Sequence, residues 1–336
     1  MLRIFFSSED IIRTRVAPAA DPVWETILSL HLLQRRRPEP VMAGWRRDVA
    51  HTLRRDGTAA QHRLLFALNP PQGYFPDFLT PYVSRDGFEA GLEAIRSTPI
   101  RQLHRDMTVL AGENALPSSA PELARGEPGA LRRLTGSMRA YRETAISPYW
   151  PRIQAAVEAD RIRRSRALLD GGTEGLLASL RPSMRWESGV LDVYDYPYQR
   201  ELRIEGRGLL LVPSFFCSRV PVALLDPDLP PVLVYPVDRL GGILPAAGEP
   251  DLVPAKRNPE ERAALAALLG RTRAAVLETI DGGCSTGEVA RRLQISAAAA
   301  SQHTTVLRNA GLIISQRERN TVLHTLTPLG RAILDH

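Results

Sequence analysis

Between Leu244 and Pro259 four prolines and a glycine interrupt every hydrophobic period, and no helix or strand of ordinary length runs through them. This break constrains the chain more than any other feature. It separates a long, mixed region from a short, regular one, and 336 residues is a length that suits about two domains. The reading is an N-terminal domain over 1–245, a linker over 246–258 and a C-terminal domain over 259–336. No fixed-period repeat occurs upstream of the break, so a solenoid is not supported.

The long region mixes helical and strand periods. Asp21-Pro22 caps and opens a helix through Leu33, with proline at the first helical position. A second helix is expected from Ser84-Arg85-Asp86 to about Ile95. A long one runs from Pro148 to about Leu169 with Ile153, Val157, Ile162 and Leu168-Leu169 on its apolar face. Short runs rich in β-branched residues follow at Val190–Tyr194, Glu201–Glu205, Gly208–Val212 and Val232–Tyr235, and Leu2–Phe6 is a further strand candidate. Residues 55–83 and 114–129 read as loops, with a pocket wall left open as their role. The fold class is therefore α+β: a helix-rich N-terminal domain with a small β-sheet, plus a C-terminal winged helix-turn-helix.

In the short region Leu265, Leu268, Leu269, Val276, Leu277 and Ile280 mark the buried side of one bent helix or two short ones, ended by Asp281-Gly282-Gly283. Ser285 and Glu288 have capping-box spacing, and the helix after them buries Val289, Ala290 and Leu293. Gln294-Ile295-Ser296 leads into a second helix over Ala297–Ala310, with Ser296 as N-cap and Gly311 as its stop. Small residues at its start, Ala297, Ala298 and Ala299, let free N–H groups approach a phosphate. Ser301, Gln302 and Thr305 face outward, Gln302 suited to an adenine edge and Thr305 to a thymine methyl or a phosphate. Ala300, Thr304 and Leu307 face inward, and Arg308 is placed for phosphate. His303 serves helix packing or a backbone contact rather than a metal. Leu312–Gln316 and Thr321–Leu326 then flank a charged tip as a hairpin, with Arg317 and Arg319 directed to the DNA backbone or minor groove. A closing helix begins at Thr327-Pro328 with Leu329, Ile333 and Leu334.

The stretch from Ser301-Gln302-His303 to Leu307-Arg308-Asn309-Ala310-Gly311-Leu312-Ile313, with the Arg-rich hairpin and Leu326-Thr327-Pro328-Leu329-Gly330, resembles the winged helix of the ArsR/SmtB bacterial regulators. The resemblance covers about residues 260–336. It implies a homodimer whose paired recognition helices read an inverted-repeat operator, and repression as the sign of regulation. Thr304 stands where the family usually has leucine, and Arg319 where the hairpin commonly carries glycine. The N-terminal region is similar, more faintly, to long extensions on some actinobacterial members, which attaches no ligand to it.

Charge agrees with a polyanionic partner. The net charge is +6 and the pI about 9.7. Residues 255–336 carry 11 basic against 7 acidic residues, while 1–254 carry 32 against 30. Double-stranded DNA is the expected partner. No apolar run approaches the roughly 20 residues of a membrane span, and the opening residues lack a signal-peptide core, so a cytoplasmic protein is expected.

Cys217 and Cys284 stand alone, which excludes a disulfide framework and argues for buried thiols. The first helix of the pair offers no Cys, His or Asp, so no metal is expected there; a redox role for Cys284 at that helix start is a minor alternative. The run Phe215-Phe216-Cys217 fits either the wall of a ligand pocket or a strand end packed into the core, the second being the commoner fate. Nucleophile-elbow, phosphate-loop, dinucleotide and zinc-helix motifs are all missing, so no catalytic residue and no cofactor is assigned. The expected function is a DNA-binding regulator answering an unknown effector through its N-terminal domain. The rival reading makes that domain an enzyme or protein-interaction module with an appended winged helix.

Overall fold

A computed structural model describes residues 1–35, 42–55, 61–218, 220–226, 228–237, 259–280, 284–318 and 321–335. The chain is a mixed α+β protein of two compact units, Met1–Ala247 and Gly248–His336. The expected linker 246–258, the turn Asp281-Gly282-Gly283 and Arg319 lie outside the described residues. Among the described residues no helix is long and apolar enough to cross a membrane.

The first unit opens with β1 (Leu2–Phe5), α1 (Ser8–Arg13) and β2 (Arg15–Val16). A helical layer follows: α2 (Pro22–Gln34), α3 (Ala43–Arg55), α4 (Arg63–Leu68), α5 (Phe88–Arg96), α6 (Ile100–Glu113), α7 (Ala120–Ala124), α8 (Pro128–Ala145) and α9 (Trp150–Ala178). The unit closes with β3 (Met184–Glu187), β4 (Val190–Val193), β5 (Arg200–Arg203), β6 (Leu210–Ser214), β7 (Val222–Ala223) and β8 (Val232–Pro236).

Instead of one small sheet the described strands make two, ordered β3-β4-β1-β5 and β2-β6-β8-β7. The two opening strands are divided between them: β1 runs parallel to β5 and β2 parallel to β6. Asp10 ties the two sheets together. Its carboxylate closes a capping box with Ser7 and accepts the Gly208 N–H at 3.0 Å.

At the centre of the helical layer the first nine residues of α2, Pro22–Leu30, are all buried. Asp21 caps it, accepting from the Val23 and Trp24 N–H groups at 2.9 and 3.1 Å, and Pro22 opens it as the sequence predicts. A helical stretch buried all round must satisfy its polar side chains internally. Ser29 Oγ donates to the Thr26 carbonyl and shares a 2.9 Å hydrogen bond with the Tyr141 hydroxyl. Glu25 is fully buried and accepts from Ser214 Oγ and from the Phe215 and Phe216 N–H groups at 3.0, 2.7 and 2.9 Å. One carboxylate on α2 therefore fixes the chain where it leaves β6.

Several expectations are corrected. Ser84 begins no helix: Tyr82–Asp86 is a 3-10 turn, Gly87 at φ +135° breaks it, and α5 starts at Phe88. Ser84 is buried because its hydroxyl donates to Asp21 at 2.6 Å. The long helix continues past Leu169 to Ala178 across a break at Gly171 and Gly172. Its Ile162, Leu168 and Leu169 are exposed, at 47%, 42% and 85%. The buried face there is taken by Asp160 and Arg164, which pair at 2.9 Å, while the Tyr235 hydroxyl donates to Asp160 at 2.6 Å. The regions read as loops contain α4 and α7.

The second unit comprises α10 (Pro259–Leu269), α11 (Arg271–Thr279), β9 (Cys284–Ser285), α12 (Thr286–Leu293), α13 (Ala297–Asn309), β10 (Ile313–Glu318), β11 (Thr321–Leu326) and α14 (Pro328–Asp335). Of the two options for the first segment the structure has two helices, parted at Gly270 with φ +83°. Val276, Leu277, Ile280, Cys284, Val289, Ala300, Leu307, Leu312 and Ile313 form its core, whereas Leu268, expected inside, is 69% exposed.

Candidate nucleic-acid interface

Helix α12 begins at Ser285, whose Oγ accepts the Glu288 N–H at 3.2 Å. The return half of the expected capping box is absent. The Glu288 carboxylate instead takes Arg292 at 2.5 Å, an i,i+4 pair. The helix ends at Gln294 in the left-handed conformation, φ +53° and ψ +39°, which turns the chain sharply enough for Ser296 to cap α13 two residues later. Ser296 Oγ accepts the Ala299 N–H at 3.1 Å.

Two stripes divide α13. Ala300, Thr304 and Leu307, at i, i+4 and i+7, are buried, as the sequence predicts. Thr304 satisfies its hydroxyl within the helix by donating to the Ala300 carbonyl at 3.0 Å, so a polar residue stands in the core without an orphan group. On the other side Ala298, Ser301, Gln302 and Arg308 are exposed, and Ala299, His303 and Thr305 are half-buried. Ala298, Ser301, Gln302 and Thr305 share one face by spacing.

The helix closes on a Schellman motif. Gly311, φ +72°, donates to the Arg308 carbonyl and Leu312 N–H to the Leu307 carbonyl, both at 2.9 Å. This explains the Ala-Gly-Leu sequence. The Thr327-Pro328-Leu329-Gly330 run locks onto the same place: Thr327 N–H donates to Leu312 O at 3.0 Å and Thr327 Oγ1 to Gly311 O at 2.6 Å. A methyl group on Gly330 would overlap the Leu312 carbonyl, so only glycine fits.

The hairpin β10–β11 pairs Ile313 with Leu326 through Glu318 with Thr321, and β9 adds a third strand. His324 fastens it to α12. Buried at 3% exposure, its Nε2 meets Thr286 Oγ1 and its Nδ1 meets Ser315 Oγ, each at 2.8 Å. Burial holds this imidazole below its ordinary 6.5, and in the neutral form one nitrogen donates while the other accepts. Arg317 lies on β10 opposite Val322.

Sequence reasoning missed His324 and the α12 pair Arg291 and Arg292, both exposed. The guanidiniums were legible as a basic helix end. His324 carried a weaker signal, an imidazole at an inward position of an alternating strand. Cys284 is buried with its Sγ donating to the Thr279 carbonyl at 3.5 Å, and burial pushes the thiol up. That direction is opposite to the lowering seen in reactive thiols at helix starts.

In the first unit Phe215, Phe216 and Cys217 are all core residues, with at most 1% exposure. Of the three, Phe216 also lines a cavity of the first unit. Glu25 and the Ser214 hydroxyl, which accepts the Cys217 N–H, draw their backbone inward. Among the described residues no group of three or more His, Cys, Asp or Glu is gathered to hold a metal. Comparison of the chain with family models, with curated proteins and with solved structures finds no match.

Proposed function

We propose that the second unit is a winged helix-turn-helix of ArsR/SmtB type that binds double-stranded DNA, and that the protein is a non-enzymatic, cytoplasmic transcriptional regulator. The observation that carries this reading is the division of α13 into a buried stripe and a bare polar one. A solvated helix gains little from Ser, Gln and Thr in line on one face; a helix lying in the major groove uses such groups to read base edges. Gln302 takes adenine, with Ser301 and Thr305 beside it. Ser296, Ala298 and Ala299 bring the helix start to a phosphate, His303 and Arg308 contact the backbone, and Arg317 and Arg319 serve the wing. A homodimer places two such helices on an inverted repeat, represses by occupying a promoter, and is modulated through the first unit.

The test is fluorescence anisotropy of the full chain on duplex from upstream of its own gene and on a scrambled duplex, at two salt concentrations. Salt-sensitive, sequence-selective binding is the expected result. Arg308→Ala weakens both duplexes alike and shallows the salt slope by about one. Equal binding of both duplexes by the parent protein overturns the assignment.

A further inference from the structure

The first unit contains a cavity of about 750 Å³, within the range that holds small organic ligands. Leu28, His31 and Leu32 of α2, with Arg35 just past its end, form one wall; the others come from within 71–77, from 196–200, from Phe216 and Ser218, and from within 220–225. The lining is mainly apolar and rich in rings, with Phe75, Tyr196 and Phe216 among them.

Its polar groups are largely spoken for. The Asp77 carboxylate accepts the Leu225 and Asp226 N–H groups at 2.9 and 2.7 Å. Arg200 donates to the Leu224 and Leu225 carbonyls at 2.8 and 2.9 Å, and Tyr198 to Glu113. His31 differs. Its ring stands edge-on to Phe75 with centroids 5.1 Å apart, and its Nε2 is buried with no hydrogen-bond partner among the described residues.

Charge selects the ligand's head group. Among the described residues two guanidiniums, Arg35 and Arg200, line the cavity against one carboxylate, Asp77. Arg35 follows the last residue of α2 with extended backbone and donates to Ser218 Oγ at 2.8 Å. We propose that this cavity is a binding site for a lipophilic, ring-bearing carboxylic acid. Its ring lies among Leu28, Phe75, Tyr196 and Phe216, and its carboxylate faces Arg35. Burial pushes His31 down to about 4, so near neutral pH the imidazole adds no charge to the wall beside Arg35. The inference concerns the first unit and stands or falls apart from DNA binding by the second.

The experiment titrates the full chain with 2-naphthoate and with 2-naphthylmethylammonium, which share a ring system and carry opposite charges. Binding of one naphthoate per chain, at least about tenfold tighter than the ammonium, is expected. Arg35→Gln lowers naphthoate affinity about tenfold without weakening the ammonium, and Val222→Trp, which fills the cavity from its wall, removes both. Unfolding midpoints are compared first, so that Arg35→Gln decides if Val222→Trp does not fold. Three results overturn the proposal: equal or tighter ammonium binding, naphthoate affinity untouched by Arg35→Gln, or no saturable naphthoate binding up to about 1 mM, a ceiling beyond which affinity is negligible.

Discussion

Helices α2 and α13 have the same length, 13 residues, and opposite surroundings. Ten residues of α2 are buried, including Glu25, Thr26 and Ser29, and every one of those three polar side chains has a partner inside the protein. On α13 only Ala300, Thr304 and Leu307 are buried, and the polar residues of the opposite stripe meet solvent. These three polar groups of α2 hold the fold, since removing one strands its partners. Those of α13 can change with little cost to the fold, which leaves them available to a partner. Substitutions in the two helices should therefore separate stability from binding.

The largest effect belongs to Glu25→Ala. It leaves the Phe215 and Phe216 N–H groups and the Ser214 hydroxyl without their acceptor, a loss of roughly 3 kcal/mol or more at 1–3 kcal/mol per stranded buried group. Urea unfolding followed by tryptophan emission measures it, because Trp24, Trp45, Trp150 and Trp186 all lie in the first unit. Gly330→Ala comes next. Its methyl group forces α14 away from Leu312, costing about 1–3 kcal/mol; hydrogen exchange across 284–335 should show the loss in the second unit and none in the first.

Gln302→Ala sharpens the contrast. It should alter stability by less than about 0.5 kcal/mol, as exposed substitutions do, yet remove about 1–3 kcal/mol of discrimination at one base pair. A stability loss as large as that of Glu25→Ala would erase the distinction between the two helices.

The smallest effect is one of pH. His324 is held below 6.5 in the folded unit, so the unfolded chain binds the proton more readily. Its contribution is complete above 6.5 and declines as pH falls below it. Hydrogen exchange in the second unit at pH 7.5 and pH 5, corrected for intrinsic rates, should show weaker protection at the lower pH. The difference should shrink in His324→Gln, and an unchanged difference would assign the acid sensitivity elsewhere.

Much of the second unit was legible because its signals are local. Serine caps, the Gly311 stop and the inward spacing of Ala300, Thr304 and Leu307 each occupy a few consecutive residues. The first unit was harder because long-range pairing decides it. Helix α3 buries only Trp45, Val49 and Leu53, a narrow stripe hidden among Arg46, Arg47, Arg54 and Arg55. In α9 the apolar Ile162, Leu168 and Leu169 suggested the wrong face, since the partner that buries Asp160 and Arg164 is Tyr235, some 70 residues onward. The cavity went unseen for the same reason: its walls come from four separate segments, and of the three residues proposed for a pocket Phe216 lines it.

The most direct test of the central claim is selection of duplexes from a random pool by the full-length protein and by Gln302→Ala. The account predicts an enriched inverted repeat whose half-site centres lie about 10 base pairs, or a multiple of that, apart. Gln302→Ala should lose preference at one position in each half-site and keep the rest. A pool that stays random with the parent protein, or an identical motif with the variant, would contradict the claim that the bare stripe of α13 reads DNA.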